Sequence, residues 1–197
     1  MFEQIAIALG KKWEDDDVDF LDVTIGMARL QAVLRGYVEA QIVEPPRENN
    51  ACEVLIATMP GEEHTFAAIL LELNMRLVGW NTTLFCAQNH QEFARKVEAN
   101  CYDVVCLSWT TPELKDSLAN LTHTISGLDI DRRPIFIAGG LASAQRGKWL
   151  VRIGVDYICD TAVGAIDVVR ETISNKPHPA NCVRRKSPRP EHASGLA

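Results

Sequence analysis

Hydrophobic positions change period along this chain. Over residues 1–45 they recur at spacings of three and four: Val23, Met27, Leu30, Leu34 and Val38 form one stripe, as on an amphipathic helix. A polar, proline-bearing stretch at 43–50 reads as a linker. From residue 51 short apolar runs alternate with helix-period segments. The pattern predicts strands at 53–59, 80–86, 102–109, 134–138 and 156–159. Between and after them it predicts helices at 62–77, 91–100, 112–128, 144–153 and 162–174, with Pro112 suited to a first turn. Residues 176–197 lose all apolar period, carry four prolines and the basic run Arg184-Arg185-Lys186, and read as a disordered tail.

Short apolar strands alternating with helices imply a parallel sheet covered on both faces. Right-handed crossovers make it open and doubly wound. The expectation is an α/β protein: a flavodoxin-like, five-stranded parallel sheet over 51–175, preceded by a helical segment and linker at 1–50. Ligands of such sheets sit beyond the carboxyl ends of the strands. That selects the loops at 59–64, 86–90, 108–112, 139–143 and 159–162.

Composition narrows the class. A hydrophobic content of 47% with 23% charged residues suits a soluble globular chain. The net charge of -6 argues against a nucleic-acid binder, so no direct sequence-specific DNA binding is expected. No apolar run is long enough to span a membrane, and no basic region precedes the short apolar stretch at the start, so it does not read as a secretory signal. Cys52, Cys86, Cys101, Cys106, Cys159 and Cys182 form no CxxC pair, and the reading is reduced, mostly buried thiols in a cytoplasmic protein. The acidic run Glu14 to Asp17, with Asp19, reads as a solvated helix start, where negative charge is favourable.

Three of the selected loops hold unusual residues: Gly61-Glu62-Glu63-His64-Thr65-Phe66-Ala67, then Ser108-Trp109-Thr110, then Gly139-Gly140. His64, placed in the first turn of the predicted helix, is suited to bind a metal through a neutral ring nitrogen. Glu62 or Glu63 then takes the other ring N–H and raises the basicity of the ligand. Ser108 and Thr110 offer hydroxyls to a buried heterocycle, and the paired glycines let a flat or phosphate-bearing ligand approach the backbone. Trp109 either stacks on a ring or closes the core. His90 either contacts a ligand or lies on the surface, and His123 is a surface or packing residue. No histidine precedes residue 64, so any cover for a second metal face from the helical segment falls to Trp13, Met27 or Tyr37. The chain has no P-loop, no GxSxG, no plausible Ser-His-Asp set and no GxGxxG context. A non-enzymatic binding module is the expectation.

The order and spacing of Glu62-x-His64-x-x-Ala67, Ser108-x-Thr110 and Gly139-Gly140 resemble the DxHxxG, SxL and GG elements of cobalamin-binding domains. Glu62, Ala67 and Thr110 stand where that pattern has Asp, Gly and Leu. The resemblance implies that His64 replaces the cofactor's own lower base on cobalt. It implies that Glu62 orients His64, and that the serine and glycine elements accommodate the displaced nucleotide tail. The Pro60-Gly61-Glu62-x-His64 form, with Trp13, Asp16, Phe20, Val23, Thr24, Gly26 and Arg29-Leu30-Gln31 upstream, is most similar to the sensor (SCHIC) domains of AppA and AerR/PpaA antirepressors. Those regulators bind haem or cobalamin and act on a photosynthesis-gene repressor of the PpsR type in response to light, redox state or tetrapyrrole. The resemblance thus implies a tetrapyrrole-binding regulatory sensor. A corrinoid carrier subunit of a methyltransferase and a ligand-free interaction domain of the same fold are the alternatives.

Overall fold

The computed structural model describes residues 1–41, 52–127 and 133–174. The predicted linker at 43–50 and the tail at 176–197 lie outside the described residues. Five strands, β1 (Glu53–Thr58), β2 (Asn81–Cys86), β3 (Val104–Ser108), β4 (Ile135–Gly139) and β5 (Tyr157–Cys159), form one sheet in the order β2-β1-β3-β4-β5. Every pairing is parallel. This is the doubly wound, flavodoxin-like sheet that the alternation predicts. The central strands are buried on both faces, which is why they read as unbroken apolar runs.

The first 41 residues form two helices rather than one, α1 (Phe2–Glu14) and α2 (Phe20–Gln41). The acidic run makes the turn between them, with Asp16 at φ 57. Asp19 caps α2 by accepting the Asp22 N–H through Oδ1 at 2.8 Å. Leu34 and Val38 of α2 are buried against Ile69, Leu70 and Leu73 of α3 (Phe66–Leu77), Leu30 is buried too, and Val23 and Met27 are half-buried. The sheet is then flanked by α4 (His90–Glu98), α5 (Lys115–Ser126), α6 (Leu141–Ala144), α7 (Gly147–Arg152) and α8 (Ala162–Ser174). A 3-10 turn at Pro112–Leu114 opens α5. The helix predicted at 144–153 is the shorter α7, and the short α6 ahead of it is an element the pattern does not predict.

One boundary matters for function. The helix predicted from residue 62 starts at Phe66, so His64 lies in the loop ahead of α3 and not in its first turn. Gly61, at φ 85, makes the turn after β1. Thr65 is the N-cap of α3, and within this loop the Glu62 carboxylate binds the His64 backbone N–H and ring.

Of the described cysteines, Cys52, Cys106 and Cys159 are free and buried, and Cys86 is free but exposed. Cys101 departs from the expected reduced set, because it is disulfide-bonded. No helix among the described residues is long and apolar enough to cross a membrane.

Candidate functional site

Sheet order decides which loops meet. The chain leaves β1 towards β2 on one side and leaves β3 towards β4 on the other, so the loops after β1 and β3 diverge over adjacent strands. That is the switch point of an open α/β sheet, where a crevice forms without any special residue. Glu62 and His64 follow β1, and Ser108 to Thr111 follow β3.

Glu62 ties the two loops together. Its side chain is fully buried. Oε2 accepts the backbone N–H groups of Thr110 and Thr111, both at 2.9 Å. Oε1 accepts the Thr111 hydroxyl at 2.9 Å, the His64 backbone N–H at 3.0 Å and the His64 ring at Nδ1 at 2.8 Å. Burial alone would raise the carboxyl pKa. The N–H groups of Thr111, Thr110 and His64 outweigh it and hold Glu62 below its ordinary value. An ionised carboxylate only accepts, so Nδ1 of His64 carries the proton. That leaves Nε2 as the ring nitrogen turned to a ligand.

His64 lines a cleft of about 720 Å³ at the carboxyl edge of the sheet. Ala67, in the first turn of α3, and Ser108, Thr110, Gly139 and Gly140 line it too. The floor is apolar, with Cys106, Ile137, Ala162 and Ala165 among its residues. Burial, and the neighbouring Cys159, push the Cys106 thiol far up, so it is protonated and unreactive. The far wall is α1, through Glu3, Ala6, Ile7, Gly10, Lys11 and Glu14, which share one helix face. Four of the five selected loops contribute. The loop at 86–90 does not, because β2 is the edge strand on the far side of β1.

Gly140 has φ +99, and a Cβ there would sit 2.5 Å from the Trp109 carbonyl oxygen. Gly139 occupies the same transverse row of the sheet as Ser108, and a Cβ on it would come within 3.0 Å of the Cys159 carbonyl oxygen. The pair keeps the backbones of three strand ends close and leaves the row beside Ser108 open.

Several sequence-level candidates take other roles. Trp109 is wholly buried in the core on the opposite face, beside Trp149, and its Nε1–H donates to the Thr111 carbonyl at 2.7 Å. It closes the core and does not line the cleft, because alternation along β3 turns it away from Ser108. Glu63 is exposed and is not a wall of the cleft, so the orienting carboxylate is Glu62 alone. His90 joins α4 to α5 through Nε2, close to both the Ser117 carbonyl (3.3 Å) and its hydroxyl (3.2 Å). His123 is exposed on α5. Trp13, Met27 and Tyr37 are not cleft residues; α1 presents Ile7 with small and charged residues instead. Sequence reasoning missed Thr111, whose N–H and hydroxyl both serve Glu62. Its place in the loop after β3 was the available signal.

Metal ligation by protein groups alone is not built here. Among the described residues no group of three or more His, Cys, Asp and Glu side chains gathers in a way that could hold a metal. A metal on His64 must therefore bring its other ligands with it.

No family model matches the chain. A curated relative, an uncharacterised 20.5 kDa protein of the bchF-crtJ intergenic region of Rhodobacter capsulatus, is 26% identical over 155 residues, covering 79% of this chain and 80% of that one. Among solved structures, the monomethylamine corrinoid protein of Methanosarcina barkeri superposes with a TM-score of 0.63 at 16% identity, over 85% of this chain and 78% of that chain. A cobalamin-binding protein from Desulfitobacterium hafniense DCB-2 gives 0.57 at 13% identity, over 82% and 75%. At these identities the likeness is one of fold.

Proposed function

We propose that this chain is a non-catalytic regulatory module that binds cobalamin through His64 and acts as an antirepressor on a transcriptional repressor of the PpsR type. One observation carries the ligand reading. A single imidazole has its Nδ1–H held by a buried carboxylate, stands at the sheet's switch point, and faces an apolar cleft, with no metal-ligand cluster among the described residues. That arrangement suits a metal already held in a macrocycle. Cobalamin supplies such a metal, with an axial position open to an imidazole.

The residues fit the group. Ser108 Oγ is buried and has no hydrogen-bond partner among the described residues, beside Gly139, which leaves room for a flat ligand. His64 would bind the metal through Nε2. Glu62 would fix the tautomer and the ring plane. Ser108, Gly139 and Gly140 would receive the displaced tail, and Ala67 and Thr110 would line its entry.

The solved neighbours named above are cobalamin and corrinoid proteins, which favours cobalamin over haem. The regulatory role draws on the motif resemblance and on the distant Rhodobacter relative, whose name places it in a photosynthesis-gene context. Its physical basis is α1. That helix walls the cleft yet has no buried residue of its own. A ligand filling the cleft adds contacts to α1 and shifts its docking only as far as it prefers one docked state. The second reading, a corrinoid carrier for a methyltransferase, draws on the monomethylamine corrinoid protein.

The test is an absorption titration with hydroxocobalamin and with haemin, beside His64→Ala. A His64-dependent shift of the corrin bands supports the proposal. A His64-dependent Soret shift replaces cobalamin by haem, and no shift with either leaves a ligand-free interaction domain. Methyl transfer to the bound corrinoid by a methyltransferase would favour the carrier.

A further inference from the structure

The turn between the two N-terminal helices exposes aromatic side chains and carboxylates together. Trp13, in the last turn of α1, is 51% exposed, and Phe20 and Leu21, which open α2, are 73% and 63% exposed. Among the described residues only Met1 is a more exposed large hydrophobic than Phe20. Beside them stand Glu14, Asp15, Asp16, Asp17, Asp19 and Asp22, with no basic residue from 13 to 25. Lys11, paired with Asp15 at 3.2 Å, offsets one of the six. A solvated helix start accounts for Asp19, which caps α2, and for Asp22 in its first turn. It does not account for Glu14 and Asp15, which end α1, where negative charge opposes the helix dipole. The tip of this helical hairpin is also preorganised. The N–H groups of Asp15, Asp16 and Asp17 donate to carbonyls of α1. Gly26 lets Leu9 of α1 press against α2, since a Cβ there would lie 2.6 Å from Leu9 Cδ2.

We infer that the hairpin tip docks a basic amphipathic segment of a partner protein; this deepens the regulatory reading above and rests on it. An exposed apolar patch rimmed by charge marks an interaction site, and aromatic side chains are the usual anchors of one. The partner's apolar side chains cover Trp13, Phe20 and Leu21, and its Lys or Arg side chains meet the acidic run. Charge selects that occupant. A second copy of this chain on a two-fold axis sets the acidic run against itself, and an anionic membrane surface repels it. A repressor carries basic side chains to hold DNA, so such a partner has a segment of the matching charge. The tip adjoins the cleft, because Lys11 and Glu14 line the cleft wall. Docking and ligand binding therefore share α1.

The experiment measures binding of a purified PpsR-type repressor to the full chain, without and with hydroxocobalamin, at low and at moderate salt. Trp13→Ser and Phe20→Ser should each weaken binding about tenfold or more, as loss of an aromatic anchor does. Changing Asp15, Asp16 and Asp17 together to asparagine should weaken it at low salt and flatten its salt dependence. Val151→Ser removes a hydrophobic of α7 that is 62% exposed, and should bind as wild type. The substituted side chains are exposed, so denaturation midpoints should match wild type. Phe20→Ser that binds as tightly as wild type overturns the inference, and so does an unchanged salt dependence in the asparagine variant or an equal loss in Val151→Ser. A wild-type dimer in sedimentation that Phe20→Ser dissolves overturns it in favour of a second copy. A repressor that binds wild type neither with nor without hydroxocobalamin overturns this inference and the regulatory reading together. One that binds wild type and every tip variant alike leaves the regulatory reading intact and removes only this one.

Discussion

Replacing Glu62 by glutamine changes almost nothing in shape and reverses the polarity of one terminus. The carboxylate receives three donors on Oε1 and two on Oε2. Glutamine offers one oxygen. If its NH2 takes the Oε2 position, the backbone N–H groups of Thr110 and Thr111 face a donor. If it takes the Oε1 position, the His64 backbone N–H and ring Nδ1 do, and the imidazole is driven to the tautomer that carries its proton on Nε2. The first case leaves two buried backbone donors unmatched and the second leaves one, at about 1–3 kcal/mol each, so the expected loss is about 1–6 kcal/mol. Against a typical domain stability of about 5–15 kcal/mol that is a large fraction. Because the folded-state pKa of Glu62 is lowered, its contribution is fully present above the ordinary glutamate value and is lost as pH falls through the folded-state value. Urea denaturation of wild type and Glu62→Gln at pH 7, repeated at stepwise lower pH, measures both effects. The variant should be less stable at pH 7, and the gap should close in acid. A difference well under about 1 kcal/mol at pH 7, below the cost of one unmatched donor, with unaltered corrin binding, would refute the role given to this carboxylate.

Gly10→Leu should separate folding from binding. A Cβ at Gly10 meets nothing within 4 Å, and the residue faces the cleft from mid-helix. The variant should be more stable by up to about 1 kcal/mol through helix propensity, yet bind the ligand less well in the same absorption titration. Gly140→Ala places a Cβ against the Trp109 backbone at positive φ; the backbone strain alone costs about 1–3 kcal/mol, measurable as a drop in denaturation midpoint. Trp109→Ala should cost about 3–5 kcal/mol through the cavity it leaves, whereas a residue that merely stacked on a ligand would leave the stability of the unliganded protein unchanged. Alkylation should reach the exposed Cys86 while the free, buried Cys52, Cys106 and Cys159 stay protected; labelling mapped by mass spectrometry checks it, and fast labelling of Cys106 in folded protein would contradict its burial.

Much of the sheet was legible because burial on both faces forces unbroken apolar runs, and β1, β3 and β4 are such runs. The candidate loops were legible too, since a parallel sheet always presents its ligand at the carboxyl ends. Errors came where a polar side chain overrode local preference. Residues 62–65 follow the helical period, yet α3 starts only at Phe66, and the Glu62 carboxylate ahead of it binds N–H groups from both its own loop and the loop after β3. Trp109 was ambiguous because only the direction of alternation on β3, fixed by the packed layers, tells core from cleft.

The chain's pattern by itself determined five strands in α/β alternation, the loops able to hold a ligand, and one histidine preceded by carboxylates. Hydrophobic period and loop chemistry are local properties, written within a few residues of where they act. Only the tertiary structure decided that Glu62 and not Glu63 orients His64, that Thr111 shares the task, and that α1 walls the cleft. It alone placed Thr58 beside Ser108. The links from β1's end to Thr111 and Ser108 join residues about fifty positions apart, and they exist because strand order sets β1 against β3.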